Sequence, residues 1–142
     1  MGLFTHSSQD LQRGKGISYG MNQRQAFGKA GEQLAVHYLK KKGYKILEQN
    51  YTCPVGEIDI IGRHKKTIVF VEVKTRQSMS YGSARLAITP HKRRKISMTA
   101  LYYLKSNKQM DQGARFDVVT VQSTGGAQEI DLIQNAFDLS YP

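Results

Sequence analysis

Short segments in which apolar residues alternate with polar ones predict β-strands in the middle of the chain. Three such segments are separated by breaks containing Gly, Pro or basic residues, as is typical of a meander, and they cover residues 44–51, 55–63 and 67–75. A fourth strand is predicted over residues 115–122. Residues 128–139, after the Gly125-Gly126 turn, are predicted as a last strand or a short helix.

Two helices are predicted around these strands. Over residues 23–42 apolar side chains recur at helical spacing until Gly43 provides a stop, and Glu32 falls at the border of this apolar stripe. The second helix is expected to begin at Thr89-Pro90, because Thr caps the free amides of the first turn and Pro fits the first helical position. A loop is predicted before it, over residues 76–88.

Two glycines interrupt the first predicted helix. Gly28 and Gly31 weaken it intrinsically, because glycine loses more conformational freedom on folding than any other residue. We interpret them as positions where another backbone approaches the helix closely, with simple tolerance of glycine as the alternative.

The chain length of 142 residues fits one domain with a hydrophobic core. Residues 1–25 are rich in Gly, Ser and Gln and predict a disordered leader, which leaves residues 26–142 as a single domain.

The single cysteine, Cys53, excludes an internal disulfide and a multi-cysteine zinc site. No apolar stretch approaches membrane-spanning length and no signal-peptide core is visible, so we expect a cytoplasmic protein without a membrane partner.

Positive charge dominates the composition. Lys and Arg total 21 against 11 Asp and Glu, and the formal net charge of +10 predicts a polyanionic partner, with nucleic acid as the first candidate. One basic cluster opens the second predicted helix, at the positive end of its dipole, where an external phosphate would explain it. Lys92 and Arg93 are therefore the expected phosphate contacts, and a solvated surface turn is the alternative.

Acidic residues lie inside two of the apolar strand segments. In the third segment Glu72 and Lys74 share one sheet face with Phe70, because side chains alternate between faces. Asp59 lies between two isoleucines in the second segment, and a hairpin between the segments would bring it close to Glu72. Two carboxylates and a lysine at one sheet edge indicate a site for a hard cation with a positioned base or water.

Four elements in order carry a family resemblance. They are the helical Glu32, then Gly56-Glu-Ile-Asp59, then Val71-Glu-Val-Lys74, then Thr89-Pro-x-Lys92. This pattern resembles the YraN family of small bacterial proteins, in the restriction-endonuclease-like superfamily with the PD-(D/E)xK motif, which is similar to archaeal Holliday junction resolvases. The resemblance implies an α/β fold of three layers, a mixed central sheet flanked by helices with an α-β-β-β-α-β core. One departure is Ile58, which stands where the motif has Pro.

The same resemblance implies roles for individual residues. The superfamily's two motif acids correspond to Asp59 and Glu72, its lysine to Lys74 and its helical acid to Glu32. A Mg²⁺ or Mn²⁺ ion would be held by Asp59, Glu72 and the backbone carbonyl of Val73, with Lys74 orienting the attacking water and Glu32 holding a water from the helix side. The implied function is a metal-dependent endonuclease that hydrolyses phosphodiester bonds in DNA, including branched or structured DNA.

Other interpretations remain open from the sequence. The chain is alternatively a nucleic-acid-binding module on a nuclease scaffold that no longer cleaves, or an RNA-processing endonuclease; a homodimer is possible in each case. The Glu72 and Lys74 pair alone is also compatible with an ion pair on a half-exposed strand. Glu57 is an alternative ligand beside Asp59, and Asp117 in the fourth strand is a reserve acid.

Overall fold

The computed structural model describes residues 23–76 and 88–139 of the chain. The described residues form two helices and five strands in the order α1 (Gln23–Lys41), β1 (Tyr44–Thr52), β2 (Glu57–His64), β3 (Thr67–Arg76), α2 (Pro90–Ser106), β4 (Gly113–Thr124) and β5 (Ala127–Phe137). Local chemistry explains several of the boundaries. Gly43 follows α1 with a φ of +93°, which glycine adopts without strain. The side chain of Thr89 caps α2 by accepting a hydrogen bond from the backbone N–H of Lys92 at 3.1 Å.

The five strands form one mixed sheet in the order β1-β2-β3-β4-β5. Strands β1, β2 and β3 are joined as antiparallel hairpins, and β4 and β5 form another antiparallel pair. Strand β4 runs parallel to β3, so the chain between them, which includes α2, forms a crossover connection. The parallel register places Glu72 opposite Val118 and Lys74 opposite Thr120.

Each face of the sheet is covered by one helix. On the α1 face, helix residues Ala35 and Leu39 pack with alternate strand residues such as Val69 and Val71. On the α2 face, Phe70 packs with helix residues, among them Ile96, Ala100, Tyr103 and Leu104. The result is the three-layer, restriction-endonuclease-like α/β arrangement that the sequence predicts.

Most predicted elements are confirmed with boundaries shifted by at most two residues. The last segment, predicted as a strand or a short helix, is the strand β5. Helix α1 begins at Gln23, so the last three residues assigned to the leader are helical. Residues 1–22 and most of the predicted loop over 76–88 lie outside the described residues. Neither helix of the described part has the length and apolarity that a membrane span requires.

The glycine interpretation holds in part for Gly31 and is wrong for Gly28. A Cβ atom added to Gly31 would clash with Cγ2 of Thr75, so β3 does approach α1 closely at Gly31, but through a side chain rather than its backbone. A Cβ at Gly28 would meet nothing within 4 Å. Gly31 therefore sets how closely the helix lies against the sheet, directly beside Glu32.

Candidate active site

The acidic site lies where β2 separates from β3. The pairing of these strands runs from His64–Thr67 to Ile60–Val71, and the next residues of β2 leave the ladder. The sheet alternation also breaks at this point, because Ile58 packs on the α2 face and Ile60 on the α1 face, although two residues apart on a regular strand share one face. Asp59, between them, is therefore positioned beside the gap between the two strands.

Asp59 is fixed in this gap by the backbone of β3. The N–H of Val73 donates a hydrogen bond to Oδ2 of Asp59 at 2.8 Å, so the carboxylate takes the place of a strand partner. The carbonyl of Val73 leaves the strand on the same side as its N–H, towards Asp59. Burial raises the pKa of Asp59, and the Val73 N–H and Lys92 oppose this effect.

Glu72 is the most perturbed acid of the site. Only 8% of its surface is exposed. Burial, followed by the nearby Asp59 carboxylate, raises its pKa from 4.5 to about 7. The two acids thus form a closely coupled pair that cannot easily hold two negative charges in the metal-free protein.

Two lysines flank this acid pair. Lys92 reaches it from the first turn of α2, with its Nζ 3.7 Å from Oε2 of Glu72. Lys74, two residues after Glu72 on β3, also lowers the Glu72 pKa, but less than Lys92 does. From the sequence, Lys92 is expected only as a phosphate contact. Its contact with Glu72 was missed because nothing in the local pattern relates positions 20 residues apart across a predicted loop.

Glu32 reaches the site from the opposite face of the sheet. Burial and then the Asp59 carboxylate raise its pKa, which places the Glu32 carboxyl in the electrostatic neighbourhood of Asp59. Glu57, exposed at the start of β2, adds negative charge near both residues. The gap between β2 and β3 explains how Glu32, carried by the helix on one face, and Glu72, on the other face, can both lie near Asp59.

Other basic residues of the first turns of α2 are held by the protein itself. Nε of Arg93 donates to the carbonyl of Ile88 at 3.0 Å, and its guanidinium lies 5.9 Å from the ring centroid of Phe137. Nζ of Lys95 donates to the carbonyl of Val55 at 3.3 Å. Arg93 is thus held by the carbonyl of Ile88 and the ring of Phe137, whereas Lys92 faces the acid pair.

The reserve acid, Asp117, belongs to a separate network on the α1 face. It is fully buried and accepts hydrogen bonds from Nε of Arg115 at 2.9 Å, from the hydroxyl of Tyr44 at 2.7 Å and from the N–H of Asn135 at 2.9 Å. The Tyr44 ring also stacks on His64, with ring centroids 4.4 Å apart. Because its oxygens are satisfied by these donors, Asp117 ties β1, β4 and β5 together and is unsuited to bind an ion.

The donor atoms at the site are oxygens of two carboxylates and of one backbone carbonyl. Among residues 23–76 and 88–139, no group of three or more His, Cys, Asp and Glu side chains is arranged to hold an ion. Two carboxylates and a carbonyl are nevertheless a suitable set for Mg²⁺, which prefers oxygen ligands and retains several waters. Lys92 offsets only part of the negative charge of the buried Asp59 and Glu72 pair, because the pKa of Glu72 is still raised to about 7. The residues present therefore fit a divalent cation.

Comparison with known proteins gives relatives but no named activity. Residues 31–121, which include all the acids and lysines of this site, match the family described as "Uncharacterised protein family UPF0102". A "UPF0102 protein" of Desulfosudis oleivorans is 56% identical over 118 residues, covering 83% of this chain and 94% of the relative. One from Geobacter metallireducens is 52% identical over 116 residues, covering 82% and 95%. One from Syntrophus aciditrophicus is 50% identical over 121 residues, covering 85% and 95%. The chain therefore belongs to the UPF0102 family, the YraN family of the sequence analysis.

Proposed function

We propose that the protein is a metal-dependent nuclease that hydrolyses phosphodiester bonds in DNA. The observation that supports this most directly is the buried acid pair of Asp59 and Glu72, in which the Glu72 pKa is raised to about 7. A protein gains no stability from two acids in this position, so their presence is better explained by a ligand that carries positive charge. This reaction would take place in the cytoplasm, where bacterial DNA lies.

Each side chain of the site has a role that its position supports. Asp59, Glu72 and the carbonyl of Val73 would hold a Mg²⁺ or Mn²⁺ ion, which supplies positive charge for the developing charge on the phosphate. Lys74, on the same sheet face as Glu72, would orient the attacking water or donate to a phosphoryl oxygen. Glu32, from the α1 side, would accept a hydrogen bond from a water near Asp59.

The charge of the protein supports a nucleic acid as the substrate. The formal net charge of +10 favours association with a polyanion, and the half-exposed Lys92 of the first turn of α2 lies beside the acid pair. Lys92 and Arg93 remain the proposed phosphate contacts, with Arg93 acting from the edge where it meets Phe137. Branched or structured DNA is included in the proposal, and two copies of the chain would suit a symmetric junction.

The decisive experiment is cleavage of supercoiled plasmid and of a synthetic four-way junction. The wild-type protein is expected to cut in Mg²⁺ or Mn²⁺ and to stop in EDTA. Asp59→Asn and Lys74→Met should reduce the rate by about 100-fold or more, because each removes a group that acts on the developing charge. The matched controls are Asp111→Asn, in the turn before β4, and Lys105→Met, in the last turn of α2; both residues are exposed and should cut normally.

The alternative functions give different outcomes in the same experiment. Salt-dependent DNA binding without cleavage by the wild-type protein would reject the nuclease and leave the binding module. Cleavage of RNA that persists in EDTA would instead indicate the RNA-processing alternative, since it would not need the ion that Asp59 and Glu72 are proposed to hold. Light scattering of the free protein and of the junction complex would test the homodimer.

A further inference from the structure

The contact between Lys92 and Glu72 couples the acid pair to the basic end of α2. The Nζ of Lys92 lies 3.7 Å from Oε2 of Glu72, a distance of an ion pair rather than of a hydrogen bond. The Lys92 side chain is 46% exposed, whereas that of Glu72 is only 10% exposed. The ammonium group therefore lies on the solvent side of a buried carboxylate.

The Lys92 side chain can move while its backbone stays in place. Its N–H is fixed by the hydrogen bond to Thr89 at the start of α2. The half-exposed side chain is held at its end by a contact with Glu72 that is longer than a hydrogen bond. Breaking the contact with Glu72 thus requires only a rotation of the side chain.

Neighbouring basic residues differ in their contacts. Among the described residues, Lys95 on the next turn donates to the carbonyl of Val55, which is neutral and not a proposed ligand. Arg93 donates to the neutral carbonyl of Ile88. Lys92 thus occupies a position that a divalent cation bound to Glu72 would make unfavourable, since two positive charges would then share one carboxylate.

We infer that Lys92 is an exchangeable cation of the site: it neutralises Glu72 in the metal-free protein and turns to a backbone phosphate of the nucleic acid when a divalent cation binds. This inference rests on the proposed function and adds a coupling to it. Metal binding releases a positive charge for the substrate, so metal and nucleic acid should bind cooperatively. The same residue would also limit metal affinity in the absence of nucleic acid.

The test compares Lys92→Met with Lys95→Met, which removes the same charge one turn away. Calorimetry at pH 8.5, without nucleic acid, measures the affinity for Mn²⁺ directly. Lys92→Met is expected to bind Mn²⁺ about two- to fivefold more tightly than the wild type, because a competing ion pair of modest strength has been removed. Lys95→Met is expected to match the wild type.

A second measurement uses DNA binding without cleavage. The affinity for a fluorescent duplex is measured at constant ionic strength in Ca²⁺ and in EDTA, and the ratio of the two affinities reports the coupling. We expect this ratio to fall about two- to fivefold in Lys92→Met and to be unchanged in Lys95→Met.

The outcomes separate this inference from the proposed function. If the wild type binds Mn²⁺ and cuts DNA but Lys92→Met gains no metal affinity, or keeps the wild-type ratio, the exchange of Lys92 is rejected and the nuclease stands. If the wild-type protein binds no divalent cation, both are rejected. Tighter Mn²⁺ binding together with a lower ratio, seen only in Lys92→Met, supports the inference.

Discussion

Replacement of Glu72 by glutamine tests the electrostatics of the acid pair without any assumption about catalysis. Glutamine has nearly the same shape and carries no charge, so it removes the ionisation that burial and Asp59 oppose. A rise in pKa from 4.5 to about 7 corresponds to about 3 kcal/mol, because each factor of ten in acidity is worth about 1.4 kcal/mol. This is the free energy by which ionised Glu72 destabilises the metal-free fold.

The sign of the effect sets the pH at which it is measured. Because the folded protein holds the Glu72 proton more tightly than the unfolded chain, the free energy of unfolding falls as the pH rises from about 4.5 to about 7. The penalty is complete above this window and absent below it. Glu72→Gln should therefore stabilise the protein more at pH 8.5 than at pH 5, by about 2.5 kcal/mol.

Urea unfolding in EDTA measures this difference. The stabilities of wild type and Glu72→Gln are compared at pH 5 and pH 8.5, so that any effect of the amide that does not depend on pH cancels. Glu129→Gln is the matched control, because it makes the same substitution at an exposed position on β5. An equal stability difference for Glu72→Gln at the two pH values would refute the electrostatic reasoning.

Three further predictions address the metal, the helix position and the buried network. In a thermal scan at pH 8.5, Mg²⁺ should raise the melting temperature of the wild type but leave that of Glu72→Gln nearly unchanged. Equal responses of the two proteins would argue against this site as the one that binds the ion. Gly31→Ala should lower the free energy of unfolding in urea by about 1–3 kcal/mol, because its Cβ would clash with a side chain of β3. Gly28→Ala lies in open space on the same helix and should raise the free energy of unfolding by about 0.5–1 kcal/mol. Arg115→Met should cost about 3 kcal/mol in the same assay, since it leaves Asp117 buried without its ion pair; an unchanged urea midpoint would contradict that account.

The buried acids of the proposed site and of the network around Asp117 differ in how far hydrogen-bond donors and positive charge compensate them. Asp117 is surrounded by donors that satisfy it, including the guanidinium of Arg115 at 2.9 Å. Glu72 meets Lys92 at 3.7 Å, beyond hydrogen-bond distance, and faces a second carboxylate. A buried acid left with incomplete compensation is the feature expected of a site that binds a ligand, whereas a satisfied acid is expected of a structural one.

The sequence alone determined the elements of the fold and singled out the acidic residues of the proposed site. Strand alternation, the cap at Thr89 and the stop at Gly43 are local properties, so they predict helices and strands without knowledge of the rest of the chain. The shared face of Glu72 and Lys74 follows from the same alternation, the isoleucines around Asp59 single it out, and the family resemblance added Glu32.

Only the tertiary structure decided how these residues meet. The separation of β2 from β3 turns Asp59 to the backbone of Val73, and the packing of α2 brings Lys92 to Glu72. The close approach of α1 to β3 likewise selects Gly31 rather than Gly28. These contacts join segments separated by 14 to 44 positions in the chain, and they depend on how whole elements pack. Periodicity cannot predict them because it describes neighbours along one element, not the distance between two.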